Sequence, residues 1–420
     1  MRIDKNSVPV VVLVSSQHGG LGIIRSLGRA GIPVYGVHRD LWEPAARSRF
    51  LRRSFAWDFA SSAASDSVTF LLKVADKIGE RPILIPTSDV TALFLAENAE
   101  PLSPGYLFST SSAEVVRTFS SKRHTCELCH KLAIPTAEIA YPQSREDILA
   151  FAQTATFPVI LKGEYGEFQL KRGTKARVTI VLTAEALLGI YDLNAENGPP
   201  GIIVQEYIPG DDDTVWMFNG YFNERSERLF GATGRKLRQF PAHRGSTCLG
   251  ICAKNEVVES QTIRLMQAVR YRGPLDLGFR FDARDSQYKL LDVNPRIGST
   301  FRLFAASTGL DVVRAFYLDL TGQAVPYAQV REGRKWMVEA NDIVSSWSDL
   351  REGKLTPGKW IRSLRGVQEC AWLNWNDPIP ACTLPLLWFR KHSRLRTDSS
   401  FAKGNDEKQG ERGSCAERSC

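Results

Sequence analysis

The sequence predicts an α/β protein: a doubly wound sheet over roughly the first 115 residues, then a mixed α+β body. Three observations carry this. The first is a β-branched apolar run, Val8–Val14, leading through a Gly-rich stretch into helical periodicity. Such a run suits a parallel strand buried on both faces. The second is that the strand–helix alternation recurs through Ile32–Val37 and Pro82–Pro86, as stacked β-α-β units require. The third is the pair of strand-like segments Leu275–Phe281 and Tyr288–Val293, separated by a hairpin loop at Arg284, Asp285 and Ser286, a connection typical of antiparallel neighbours.

The elements follow in order. Ser15–Gly22 reads as a Gly-rich turn, with a helix after it to about Ala30, capped by Gly31. Gly19, Gly20 and Gly22 miss the spacing of a dinucleotide fingerprint. They serve either as a tight turn or as an anion-binding helix start. Thr87, Ser88 and Asp89 start a helix over Val90–Asn98. Ser121–Thr125 opens a helix to about Lys131, and Phe157–Gly163 is a strand with Lys162 at its end. Gly166–Gly173 is expected to be a flexible loop, and Ala176–Leu182 a strand. Gly201–Gly210 is a strand ending in a turn; Thr214–Tyr221 and Arg228–Thr233 are strands; Val257–Arg270 is helical. Residues 330–395 hold six tryptophans (Trp336, Trp347, Trp360, Trp372, Trp375 and Trp388) without recognisable chemistry. From Thr397 the composition is that of a disordered tail.

Hydrophobic content of 43% and charged content of 24% are ordinary for a globular chain. The net charge of +8 is spread out, apart from small clusters at Arg47–Arg53 and Arg390–Arg396. No nucleic-acid-binding signature accompanies it. Cys126 and Cys129 form a lone C-x₂-C without a second pair, and the other six cysteines are scattered. A reducing, cytoplasmic setting is therefore expected. The N-terminus reads as neither a signal nor a span.

The chemistry concentrates at Asp292, Asn294 and Arg296. Residues two apart on a strand share a face. A carboxylate and an amide oxygen suit Mg²⁺, and a guanidinium beside them grips a phosphate or carboxylate. Lysines at a helix start (Lys122) and a strand end (Lys162) add anion contacts. Backbone groups of Gln205, Glu206, Tyr207 and Ile208 could read an adenine edge, with Glu206 accepting from its amino group and Ile208 against its face.

Ser121-Lys122, Pro158-x-x-x-Lys162, Gln205-Glu206-Tyr207-Ile208-Pro209-Gly210 and Asp292-x-Asn294-Pro295-Arg296 occur in that order. This series resembles the ATP-grasp superfamily, in particular its carboxylate–amine ligase branch, over about residues 8–322. Taken singly, each residue has a bland reading as surface charge or turn former. In one fixed order the bland readings fare poorly. The resemblance implies a Rossmann-like pre-ATP-grasp domain (1–118) and an ATP-grasp domain (119–325) with lobes near 119–200 and 201–325. A C-terminal extension (326–396) and a disordered tail (397–420) follow.

The resemblance also implies roles. ATP and Mg²⁺, or Mn²⁺, are the expected cofactors. Lys122, Lys162, Arg235 and Lys236 would contact phosphate or carboxylate oxygens, and Arg296 the acyl-phosphate oxygens. Asp213, among Asp211–Asp213, would reach the ribose, and Gly163–Gly173 would cover the triphosphate. Asp292 and Asn294 would hold metal. The family's usual acid, 13 or 14 residues earlier, is replaced by Phe279 and Gly278. Asp282 is taken to complete the site, with Asp276 as the alternative.

The implied reaction is ATP-dependent ligation of a small carboxylate to an amine through an acyl phosphate. His18, Gly19, Gly20, Thr87, Ser88, Asp89, Arg235 and Arg296 would line the substrate pocket. A catalytically weak ATP-binding regulatory or scaffold protein is the competing reading, resting on the missing acid. An NAD-dependent oxidoreductase, resting only on the first Gly-rich turn, comes last. No nucleic-acid partner and no transmembrane segment are expected, although Pro378–Lys391 could make weak peripheral contact with a membrane. Oligomeric state has no sequence signal.

Overall fold

The computed structural model describes residues 3–14, 18–163, 168–171, 174–176, 178–195, 201–243 and 245–384. The expected tail from Thr397, the Arg390–Arg396 cluster and most of the apolar end of Pro378–Lys391 lie outside these residues.

A first sheet contains β1 (Val10–Leu13), β2 (Val34–His38), β3 (Leu51–Ala56) and β4 (Ile83–Pro86), in the order β3-β2-β1-β4 and parallel throughout. Every side chain of β1 is buried, which explains its unbroken apolar sequence. Helix α1 (His18–Gly28) follows β1 directly. It therefore begins inside the stretch expected to be a turn. Gly19, Gly20 and Gly28 are helix-face residues required by close packing. A Cβ at Gly19 would come within 2.9 Å of the Ser299 Cα, and one at Gly20 within 2.7 Å of Val14 Cγ1. The dinucleotide-loop reading loses its basis, because these glycines face protein. Helices α2 (Ala64–Ile78), α3 (Asp89–Glu97) and α4 (Ala99–Leu102) complete this part. Ser88 and Thr91 cap α3 reciprocally.

Helices α5 (Ala113–Ser120) and α6 (Lys122–Lys131) lead into a second sheet. It is formed by β5 (Ile139–Ala140), β6 (Val159–Gly163), β9 (Val178–Val181) and β10 (Ile202–Glu206), in the antiparallel order β5-β10-β6-β9. Helices α7 (Arg145–Thr154) and α8 (Ala184–Asn194) cover it. Within the expected Gly166–Gly173 loop lies β7 (Phe168–Lys171), which pairs with β8 (Thr174–Ala176) just beyond it. Residues 164–167, 172 and 173 lie outside the description.

The third sheet has seven strands in the order β15-β14-β11-β12-β13-β16-β17. They are β11 (Val215–Phe222), β12 (Arg228–Phe240), β13 (Ser246–Cys252), β14 (Gly273–Asp282), β15 (Gln287–Asn294), β16 (Lys335–Met337) and β17 (Val367–Cys370). Helices α9 (Glu256–Ala268), α10 (Val312–Leu320), α11 (Glu339–Arg351) and α12 (Pro357–Leu364) complete the described chain. The C-terminal segment thus extends the central sheet, with β16 pairing along β13.

One apolar core joins the first sheet and α1 to α10, the Phe301–Phe304 turn and Trp336. No helix among the described residues is long and apolar enough to cross a membrane.

Candidate active site

β14 and β15 form the floor. Their register sets Asp276 opposite Asn294 and Gly278 opposite Asp292. The Asp292 carboxylate folds across the strand pair onto Gly278, where any Cβ would collide with its Oδ1. Asp276 likewise sits beneath Gly298, whose missing Cβ leaves room for its carboxyl group. Asn219 Nδ2 donates to Asp276 Oδ1 at 2.9 Å, and Asn294 Nδ2 donates to Asp292 Oδ2 at 3.0 Å and to Asp276 Oδ2 at 3.4 Å.

Asp276, Asp292 and Asn294 are thus gathered at one strand end. Burial raises the Asp276 carboxyl to about 6; Arg296 pulls it down and the Asp292 charge pushes it up. Two acids in that relation leave negative charge that a divalent cation would balance. The residues present fit Mg²⁺, with Asp276 and Asp292 as donors; Asn294 now turns its amide nitrogen to both carboxylates and would offer its oxygen on rotating the amide. Among the described residues, no group of three or more His, Cys, Asp or Glu residues is placed to hold a metal.

Asp282 does not take part. At about 3.3 Å per residue it lies ~13 Å along β14 from Gly278, the position opposite Asp292. The two-residue period keeps both on one face but says nothing of distance along the strand. Asp282 instead receives Arg284 Nε at 2.9 Å and Lys289 Nζ at 2.8 Å. These bonds hold its carboxyl well below the usual range, the Arg284 hydrogen bonds contributing most. The same cations engage Glu206, Arg284 Nη2 at 2.5 Å and Lys289 Nζ at 2.9 Å. Glu206 is thus neutralised by protein and joins the second sheet to the third. This corrects its assignment as a free acceptor for an adenine amino group. Ile208 is buried and offers little surface for a ring; Tyr207 is partly exposed.

The lysines converge from separate elements. Lys162 on β6 donates to Gln205 Oε1 at 2.7 Å. Burial lowers its amine to about 8; Lys122 pushes the same way, and Asp292 opposes. Lys122, the first residue of α6 behind its Ser121 cap, is exposed. Lys236 on β12 donates to Gln239 Oε1 at 3.1 Å and to the Gly245 carbonyl at 3.0 Å. Burial lowers its amine too, against Asp292, Asp276 and Asp212.

Arg296 donates to Asp89 Oδ1 at 2.8 Å and to Asn294 Oδ1 at 3.3 Å. It links the α3 start to the end of β15. Arg235 pairs with the exposed Asp213 at 3.2 Å. Asp212 is occupied differently: it accepts from the Gln239 backbone N–H and from Gln239 Nε2, both at 2.9 Å, and so fixes the partner of Lys236.

Asn219, Gln239, Arg284 and Lys289 were not singled out from the sequence. Each has a partner distant in the chain (Asp276 for Asn219, Asp212 for Gln239, Glu206 for Arg284 and Lys289), and no local pattern marks those pairings. His18, at the start of α1, packs its ring against Trp336 at 5.2 Å in a tilted arrangement, and burial pushes its imidazole down to about 4 against a hydrogen bond to the Ser299 backbone. Cys129 is pushed up to about 12 by burial, and Cys126 is also raised. Both thiols stay protonated at neutral pH, which removes the basis for a thiolate role.

Three sheets, with Lys162, Lys236 and Arg296 about a carboxylate strand end, make the nucleotide-dependent ligase architecture called ATP-grasp. Comparison with known proteins agrees. Residues 251–318 match the family model for the carbamoyl-phosphate synthase L chain, ATP binding domain. The chain is 26% identical to the D-aspartate ligase of Enterococcus faecium over 318 residues, which is 70% of this chain and 72% of the relative. Among solved structures, the ADP complex of N5-carboxyaminoimidazole synthetase from Staphylococcus aureus aligns with a TM-score of 0.59 at 12% identity, over 80% of this chain and 83% of that one. The biotin carboxylase domain of Hydrogenobacter thermophilus 2-oxoglutarate carboxylase, with MgADP and bicarbonate, aligns with a TM-score of 0.56 at 15% identity, over 78% of this chain and 73% of that one. The chain has the fold of ATP-grasp proteins, and the relatives it resembles include a carboxylate–amine ligase. It is an enzyme of the C–N bond-forming ligase class, with ATP and Mg²⁺ as its cofactors.

Proposed function

We propose that the protein joins a small carboxylate to an amine, forming an amide or peptide-like bond through an acyl phosphate. The carboxylate oxygen attacks the γ-phosphorus of ATP, ADP leaves, and the amine then displaces phosphate from the acyl carbon while losing a proton. The observation that carries this reading is the meeting of Asp276, Asp292 and Asn294 with Arg296 at one strand end, faced by Lys162 and Lys236.

Lys162 and Lys236 hold phosphate oxygens, with Lys122 at the mouth. Arg296, fixed between Asp89 and Asn294, neutralises oxygens at the acyl carbon. Bound Mg²⁺ would supply charge neutralisation at the phosphates. Catalysis on this reading is positioning and electrostatics, so no nucleophilic side chain is needed. Asp211 and Asp213 are the exposed carboxylates of their cluster, and Asp213, paired with Arg235, is the one assigned to the ribose. Asp276 supplies the acid lacking at position 278, which removes the main support for a catalytically weak scaffold.

The likeness to a D-aspartate ligase puts amino acids first among the amines to be tried. The test is ADP and phosphate release with Mg-ATP across a panel of carboxylates and amines. We expect release that requires one of each and falls by about a hundredfold or more in Lys162→Ala. Full activity in that variant would remove the assignment.

A further inference from the structure

Helix α11 is inside out. Its buried residues are polar: Asp342, Ser345, Ser346 and Asp349. Its outer face carries Ile343, Val344 and Trp347, which are 57%, 56% and 58% exposed. These three share one face by their three- and four-residue spacing. An ordinary surface helix turns its apolar stripe to the core.

The inversion has a cause on the inner side. Asp342 Oδ1 accepts from Arg238 Nε at 2.7 Å and its Oδ2 from Arg238 Nη2 at 3.1 Å and Trp360 Nε1 at 3.2 Å. Ser345 Oγ donates to the Gln239 carbonyl at 2.5 Å. These bonds fix which face looks inward, but they do not require the opposite face to be apolar.

Neighbouring elements repeat the pattern. On α12, Ile361 is exposed; beyond β17, Leu373 and Trp375 are exposed, Trp375 completely. Both segments adjoin α11, through the Trp360–Asp342 bond and through the Leu373 backbone N–H donating to Glu339 at 2.6 Å. The exposed charges from 351 to 365 are Arg351, Lys354, Lys359, Arg362 and Arg365 against Glu352 alone. Glu352 is paired with Lys354 at 2.7 Å. Arg351 lies over the Trp347 ring at 5.1 Å.

We propose that this C-terminal face docks onto an anionic lipid surface, with α11 lying in the headgroup region. Large apolar side chains among excess cations are what an interfacial helix presents, and tryptophan favours that depth. The cations then meet lipid phosphates. A two-fold contact with a second copy would set the same cations against each other, because such an interface pairs a patch with itself. The surface shares no residue with the ATP cleft, so the inference stands apart from the proposed reaction.

The test is co-sedimentation of the full chain with vesicles of phosphatidylcholine alone and of phosphatidylcholine mixed with phosphatidylglycerol. Binding is expected to the mixed vesicles, and to weaken as salt rises. Ile343→Ser/Trp347→Ser should weaken it at least about tenfold, and Arg351→Gln/Arg362→Gln by about thirtyfold, with unchanged circular dichroism melting. A wild-type chain that stays in the supernatant with the mixed vesicles overturns the proposal, as do variants that pellet like wild type. So does a concentration-dependent dimer in sedimentation velocity that Ile343→Ser/Trp347→Ser abolishes.

Discussion

Gly278 serves the candidate metal edge by having no side chain. The Asp292 carboxylate occupies the volume that a Cβ would take. In Gly278→Ala that flexible end must swing away, while the surrounding strands stay paired. The expected result is a near-normal melting temperature with an apparent Mg²⁺ affinity reduced about tenfold, read from ATP turnover against Mg²⁺ concentration. Asp276 gives a pH test of the same site. Its carboxyl is raised to about 6 by burial, so its ionisation opposes folding. That penalty is full above about pH 6 and gone below the ordinary carboxylate value near 3.8. In Mg²⁺-free buffer, Asp276→Asn should therefore melt higher than wild type at pH 8 and equally at pH 3.5. ATP turnover with Mg²⁺ should be lost. Equal melting at both pH values would show that the carboxyl is not held in the unfavourable environment described. From the sequence Asp282 was preferred and Asp276 was the alternative, because strand periodicity fixes the face alone. Their separation came only with the register of β14 against β15.

At the scale of elements, α11 is held by charge where most helices are held by oil. Arg238 and Asp342 are both buried and make two hydrogen bonds to each other. Removing one partner leaves the other charged and desolvated. Asp342→Ala should lower the unfolding free energy by about 3–5 kcal/mol, measured by urea denaturation. A loss below about 1 kcal/mol would mean that water replaces the carboxylate. Strands and capped helices were largely legible beforehand, since apolar runs and Ser or Asn caps act locally. The Gly-rich stretch at the start of α1 was not. Glycine signals a turn unless packing supplies another reason for it, and that reason, Ser299, lies far along the chain.

Across the whole molecule, the C-terminal segment fastens the first sheet to the third. Arg25 of α1 donates to the Asp377 carboxylate at 2.9 Å and to the backbone carbonyls of Ala371, Trp372 and Asp377. Arg302 and Arg334 both meet Glu369, at 2.7 and 2.8 Å. Asp377→Ala should destabilise the protein by about 3–5 kcal/mol. Limited proteolysis should then release residues beyond 370 before the rest. Protection equal to wild type would mean that the carbonyl bonds to Arg25 suffice. Nothing in the tryptophan-rich sequence after residue 330 disclosed this fastening, because its bonds reach from 35 to 352 residues along the chain.

The sequence by itself determined the apolar strand runs, the helix starts, and the common face of Asp292, Asn294 and Arg296. All of these follow from backbone periodicity and local hydrogen bonding. The tertiary structure decided what stands across from that face. It brought up Asp276 and took Asp282 away. It engaged Glu206 with Arg284 and Lys289, tied Asp212 to Gln239, and turned α11 outward. The physical reason is one: a side chain's partner across a sheet or between sheets depends on register and packing, and neither is written in the residues beside it.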